Sequence, residues 1–272
     1  MKNRTALLHY WLTNLRGGEN VFAEIAALYP DADIFTHACD RRIMAPVLGN
    51  RRIAETFVGR LPGARQNCQR YLPLMPLALR MLDLDGYDLI ISSESGPAKG
   101  VRKPAGARHI CYCHTPMRYL WDLYDEYYRG AGLSGRLAMR LFGGYLRRYD
   151  LRSAEGVDLF IANSEFVAER IKRIYRRDSV VVHPPVDHAF FSAGRFEKRD
   201  YYLFVGQLTG YKRPDLAVEA CLSLGRKLVV VGGGELEKEL GCRGGDRIVF
   251  LGRVPRETLR RVATPQAYRL CS

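Results

Sequence analysis

The chain lacks any apolar run close to the roughly 18 residues a membrane-spanning helix requires. Its start, Met1-Lys2-Asn3-Arg4-Thr5, runs straight into a strand-like segment, without the apolar core and cleavage site of a secretory leader. Low-complexity tracts are missing as well. The seven cysteines are odd in number and follow no framework spacing, which excludes a disulfide scaffold and fits reduced thiols. These absences imply a cytoplasmic protein. Metal-ligand pairs are also wanting. His109-Ile110-Cys111-Tyr112-Cys113-His114 clusters ligand types, but no second pair follows at zinc spacing. On a strand His109, Cys111 and Cys113 share one face and His114 the other. That pattern reads as small buried cysteines on a central strand, with no metal expected. Acidic side chains are few, 29 against 42 basic ones, leaving a net charge of +13. No aromatic-basic motif of a nucleic-acid module accompanies this charge, so nucleic acid is not an expected partner. Anionic lipid surfaces and phosphorylated small molecules remain.

What is present is a 272-residue chain, 47% apolar, in which strand-like and helix-like segments alternate. That alternation predicts parallel sheets with helices on both faces. Thr5–Trp11 reads as a strand, Arg16-Gly17-Gly18-Glu19 as a turn and Val21–Leu28 as a helix. Asp33–His37 is a second strand. Residues 51–84 are irregular, broken by Pro62, Pro73 and Pro76. Strands are expected at Tyr87–Ser93, His109–His114, Val157–Asn163 and Ser179–His183. Helices are expected over Arg118–Tyr128, Ser134–Ser153 and Glu165–Tyr175. The Ser134–Ser153 region sets Arg136, Arg140, Arg147, Arg148 and Arg152 among Leu137, Leu141, Phe142, Tyr145 and Leu146. It suits either a core-facing helix with a solvated basic face or a helix lying on a membrane surface.

Pro184-Pro185, with the polar stretch Ser192–Asp200 behind it, marks a domain boundary. The expected domains are 1–190 and 199–272. The second is short, with strands at Tyr201–Val205, Lys227–Val231 and Arg247–Leu251, and helices over Pro214–Leu224, from Glu235 and from Pro255. Its last ten residues leave the helical pattern of Arg256–Val262 and read as a chain that stops inside its own fold. A three-stranded parallel sheet of this kind would have an uncovered edge.

Several loops after strands carry chemistry, and the expectation is that they converge on one cleft between the two units. Gly17 and Gly18 let a backbone come close to a ligand. His114-Thr115-Pro116-Met117-Arg118 puts a histidine and an arginine at a strand end. Val205-Gly206-Gln207-Leu208-Thr209-Gly210-Tyr211-Lys212-Arg213 leads into a helix with apolar positions Leu216, Ala217 and Ala220. A helix N-terminus beside two cations is suited to a phosphate or diphosphate. Asn163-Ser164 is a further polar strand end, which a plain helix cap explains equally well. Val231-Gly232-Gly233-Gly234-Glu235 resembles a dinucleotide fingerprint without its full glycine spacing.

In Cys113–Asp122, Ala162–Val167, His183–Asp187 and Val205–Ala220 the chain resembles the retaining glycosyltransferases of family 4, also called glycosyltransferase group 1. The resemblance runs from about Thr5 to Val262. It implies an α/β protein of GT-B type, with a complete N-terminal Rossmann-like domain and an incomplete C-terminal one. It also implies a branch that transfers mannose or a related hexose during polysaccharide assembly. By the same resemblance the donor is GDP-mannose, no metal or other cofactor is needed, and the acceptor is a saccharide or a lipid-linked saccharide met at the inner membrane face.

Carried over position by position, Gly17 and Gly18 match the loop that approaches the donor diphosphate. His114 matches the histidine beside the transferred sugar. Lys212 matches the lysine that neutralises the leaving diphosphate, with Gly206 in its loop and Arg213 as a neighbour. Gln207 stands where the family often has arginine, so it can donate a hydrogen bond but adds no charge. Ser164 matches a small polar residue of the same cleft. The family's two glutamates, eight positions apart, would lie beyond Val262, and nothing there matches them. Glu235 and Glu239 are only four apart. The alternative expectation is therefore a truncated, non-catalytic remnant that folds or binds acceptor without transfer.

Overall fold

The computed structural model describes residues 4–192, 200–263 and 268–270. It divides into two compact units, Met1–Pro185 and Val186–Ser272, so the division falls directly after the Pro184-Pro185 pair. Most of the polar stretch Ser192–Asp200 lies outside the described residues.

The first unit is built on seven parallel strands: β1 (Thr5–His9), β2 (Asp33–Thr36), β3 (Ile53–Glu55), β4 (Leu89–Glu94), β5 (Arg108–Cys113), β6 (Leu159–Ala162) and β7 (Ser179–Val181). Their order is β3-β2-β1-β4-β5-β6-β7. The strands are apolar because the sheet is covered on both sides. Leu7 packs with Phe22, Ile34 and Ile91 on one face, while Ala6 and Leu8 pack with Phe35, Ile90 and Leu79 on the other. The helix Gly17–Leu28 covers the first face through Phe22 and Ala26. The helix Glu165–Tyr175 has the predicted limits, and the Ser164 hydroxyl caps it by accepting from the Val167 amide at 3.3 Å.

Other elements depart from expectation. The helix Arg41–Leu48, which the periodicity did not suggest, starts at Asp40, whose carboxylate accepts from the Arg42 amide at 3.0 Å. In the Arg118–Tyr128 segment, turns precede a helix confined to Tyr124–Gly130, because the Trp121 amide turns back to the Met117 and Arg118 carbonyls. The long helix Leu133–Glu155 buries Gly143, Leu146, Asp150 and Ala154. Its core-facing side is therefore real, but its outer side is not simply basic.

The second unit is a parallel sheet of β8 (Tyr202–Val205), β9 (Leu228–Val231), β10 (Ile248–Gly252) and β11 (Tyr268–Leu270), in the order β10-β9-β8-β11. Four strands replace the expected three. Tyr268–Leu270 pairs with Tyr202–Phe204, so β8 is an inner strand and not an uncovered edge. Phe204, Val218, Leu228, Val230 and Ile248 form one core layer, and Leu203, Val231 and Leu259 belong to a second. The helix Pro214–Ser223 faces this core through Pro214, Val218 and Cys221. Leu216 and Ala220, expected on its apolar face, point outward, since 214, 218 and 221 are the positions that repeat on the sheet side.

Candidate functional site

In a doubly wound sheet the two halves diverge from one point, and loops at the carboxyl ends of the strands there leave a crevice. In the first unit that point lies between β1 and β4. The loop after β1 ends in Gly17 and Gly18 at the start of a twelve-residue helix. His114 follows β5, the next strand beyond β4, and its amide donates to the Glu94 carbonyl at 2.8 Å. A Cβ placed on Gly18 would lie 3.5 Å from His114 Nε2 and 3.5 Å from the Tyr10 hydroxyl, so the glycine backbone lies against the histidine ring. A Cβ on Gly17 would meet nothing within 4 Å. Gly17, Gly18 and His114 are thus brought to one place by strands far apart in sequence.

His114 Nε2 and Ser93 Oγ are hydrogen-bonded at 2.9 Å. Burial, with His9 adding to it, pushes the His114 pKa down to about 4, so its imidazole is neutral near pH 7. It can donate or accept a hydrogen bond there, but it brings no positive charge. Behind it stands a group the sequence did not flag. His9, only 1% exposed at the end of β1, sits with Nε2 3.9 Å from a Glu19 carboxylate oxygen. The other Glu19 oxygen accepts from the Arg16 amide at 3.1 Å, fixing the glycine turn at the helix start. Burial alone would raise the Glu19 pKa, but His9 and backbone amides outweigh it and hold the carboxyl below its usual range.

A second buried network adjoins this one. Lys99 Nζ is 3.0 Å from Glu94 and 2.5 Å from Asp150, and the Trp121 indole donates to Asp150 at 2.8 Å. Tyr175 donates to the same Asp150 carboxylate at 3.0 Å. Burial opposes the charge on both Glu94 and Lys99. It prevails at Glu94, whose pKa is raised, whereas the two carboxylates keep Lys99 firmly protonated. Ser93 and Glu94, at the end of β4, and Lys99, in the short 3-10 turn Ala98–Gly100 that follows, carry no periodic signal in the sequence. Only the partner elements reveal them.

The cysteine-histidine cluster resolves differently. His109 Nε2 is hydrogen-bonded to Ser92 at 2.9 Å, while Cys111 and Cys113 pack with Phe160 and Ile171. Neighbouring Ser92 and Ser93 thus serve histidines on opposite faces of the sheet, as the strand alternation predicts. Ser164 is spent largely on its own neighbourhood: besides capping its helix it donates to Asn163 at 3.0 Å.

In the second unit the loop after β8 carries Gly206, Gln207, Lys212 and Arg213. Lys212 ends a short 3-10 turn, Gly210–Lys212, and the helix begins only at Pro214. Lys212 and Arg213 therefore precede the helix and are not its first turn. Arg213 has left-handed backbone (φ 50°) and its guanidinium is paired with Asp215 at 2.8 Å. Part of its charge is already matched. The Gly232–Gly234 run has a packing explanation. A Cβ on Gly232 would lie 1.8 Å from the Gly206 carbonyl oxygen, and one on Gly234 would lie 2.4 Å from that of Leu208. The glycines let the loops after β8 and β9 touch, backbone against backbone, which is no reason to infer a dinucleotide site.

Two parallel sheets with loops of this kind define a GT-B type α/β protein. The profile described as "Glycosyltransferase Family 4" matches residues 16–190, well over half of the chain. The chain belongs to that family. Among solved structures it is similar to HepE of Anabaena in complex with UDP and glucose, at 14% identity and a TM-score of 0.61, covering 96% of this chain and 71% of that one. It is similar to Os79 from O. sativa in complex with UDP at 14% identity and a TM-score of 0.53, covering 97% and 76%. AviGT4, a glycosyltransferase involved in avilamycin A biosynthesis, is 17% identical with a TM-score of 0.51, covering 96% and 67%. These likenesses establish the fold. No curated protein sequence matches the chain.

Proposed function

We propose that this chain transfers a hexose from a nucleotide-diphosphate sugar to a saccharide acceptor, free or lipid-linked, in polysaccharide assembly. The observation that carries the reading is Gly18 lying against neutral, partly buried His114 at the switch point of the family-matched unit. A backbone that close, at a helix N-terminus, favours an anionic or hydroxyl-rich ligand. His114 would hydrogen-bond a sugar hydroxyl there. In the second unit, Lys212 and the amides of the Gly206–Arg213 loop would stabilise the departing diphosphate, with Gln207 contributing a hydrogen bond and no charge. On this reading neither a metal nor another cofactor is required, and configuration at the sugar is retained. The sequence motifs favour mannose from GDP-mannose, whereas HepE and Os79 hold UDP, so both donor types belong in the assay.

The test is donor-dependent release of nucleoside diphosphate by the chain in the presence of candidate saccharides, with and without chelator. Lys212→Ala should lower turnover about 100-fold or more, the magnitude of losing one preorganised group at a developing charge. Its circular dichroism should be unchanged. Turnover equal to the parent would remove Lys212 from the mechanism. Absence of any donor-dependent release would favour binding without transfer.

A further inference from the structure

The helix Leu133–Glu155 buries one face and leaves the other with a composition that core packing does not explain. Leu133, Leu137 and Leu141, each one turn from the next, are 87%, 59% and 64% exposed. Arg140, Arg148 and Arg152 are exposed on the same side of the helix by its 3.6-residue period. Among the described residues, no ion pair or hydrogen bond engages their side chains. Two other arginines of the helix are turned inward to backbone carbonyls: Arg136 to those of Tyr128, Arg129 and Ala131, and Arg147 to that of Leu120. Between Leu133 and Tyr149 there is no acidic residue. Asp150 is buried under Lys99, Trp121 and Tyr175.

We infer that this face is a docking surface for an anionic phospholipid bilayer. A leucine stripe one residue wide suits the boundary between headgroups and acyl chains, where an amphipathic helix lies in the plane. Guanidinium groups on the same face reach lipid phosphates, which they bind through two parallel hydrogen bonds. A second copy of this chain is a poorer occupant. A two-fold interface would bring the same arginines of both copies towards each other, against only one exposed carboxylate of the helix, Glu155 at its C-terminal end. The helix also anchors the buried Asp150–Lys99–Glu94 network, so docking would hold the first unit by an element rigidly tied to β4. The inference deepens the acceptor side of the proposed function, yet its test needs neither donor nor acceptor.

The experiment is sedimentation of the chain with vesicles of phosphatidylcholine alone and of an equimolar mixture with phosphatidylglycerol. Binding should require the anionic lipid and should weaken as salt is raised. Arg140→Gln with Arg148→Gln should lower the partition coefficient about 25-fold, from roughly fivefold per arginine near the surface. Leu137→Gln with Leu141→Gln should lower it at least tenfold, since each leucine gives up its burial in the bilayer. All four positions are exposed, and matched thermal unfolding would show that the fold is intact. Equal binding to neutral vesicles, no binding to either, or unchanged binding by either variant would overturn the inference. So would a dimer in sedimentation velocity that the leucine variant dissociates, which would assign the face to a second copy. Loss of vesicle binding with transfer to a soluble acceptor retained would leave the proposed function standing, and the converse result would leave the docking surface standing.

Discussion

Replacing Gly232 by alanine should damage the second unit far more than its chemistry suggests. The new Cβ would sit 1.8 Å from the Gly206 carbonyl oxygen. Ordinary contact needs roughly 3.4 Å, so the loops after β8 and β9 would have to part by about 1.5 Å, at the 1–3 kcal/mol typical of overpacking. Gly232 also has φ of +131°, a region where a side chain adds about 1–3 kcal/mol of strain. Together these suggest a loss of about 4 kcal/mol, a large fraction of a small unit's stability. Both tryptophans, Trp11 and Trp121, lie in the first unit, so fluorescence would miss the effect. Hydrogen exchange of peptides covering Tyr202–Val205 and Leu228–Val231 is the suitable assay. Faster exchange there, with little change at Leu7 or Ile91, is the expected result. Gly241→Ala is the control: its Cβ meets nothing within 4 Å in a helix, so it should stabilise by about 0.5–1 kcal/mol. If Gly232→Ala exchanges like the parent, the close approach of the two loops is wrong, and with it the account of how the Lys212 loop is held.

Two further outcomes follow from the buried charges. Lys99→Met should cost about 3–5 kcal/mol by urea unfolding, because it strands Glu94 and Asp150 together without a cation. Adding Glu94→Gln and Asp150→Asn should return much of that loss, and failure to do so would argue against the network. Stability should also fall on mild acidification. Burial lowers His37 to about 3 and His109 and His114 to about 4, each below its unfolded value of 6.5. The unfolded chain therefore binds more protons between about pH 6.5 and 4, and stability is lost as pH falls through that window, by up to about 1.4 kcal/mol per unit for each histidine. Lowered Glu19 acts in the same direction, below its unfolded value of 4.5. An unchanged urea midpoint between pH 7 and pH 5.5 would contradict the neutral state of these rings.

The sequence by itself determined the alternation of strands and helices, because two-sided burial in a parallel sheet demands continuous apolar strands between amphipathic helices. It determined the limits of the Glu165–Tyr175 helix through a cap residue and strict periodicity, and it named Gly17, Gly18 and His114 through local motifs. It could not see that Tyr268–Leu270 adds a strand, since pairing to Tyr202–Phe204 is a contact across more than sixty positions. It also could not decide which side of the Leu133–Glu155 helix faces inward, because leucines and arginines occur around both. Tertiary structure decided that Gly18 meets His114, through the strand order that sets β4 beside β1. It likewise decided that the Gly232–Gly234 run serves loop packing, and that Glu94, Lys99 and Asp150 share one buried network. Periodicity reports which way a residue faces along its own element. The identity of what it faces is fixed only when elements distant in sequence become neighbours in space.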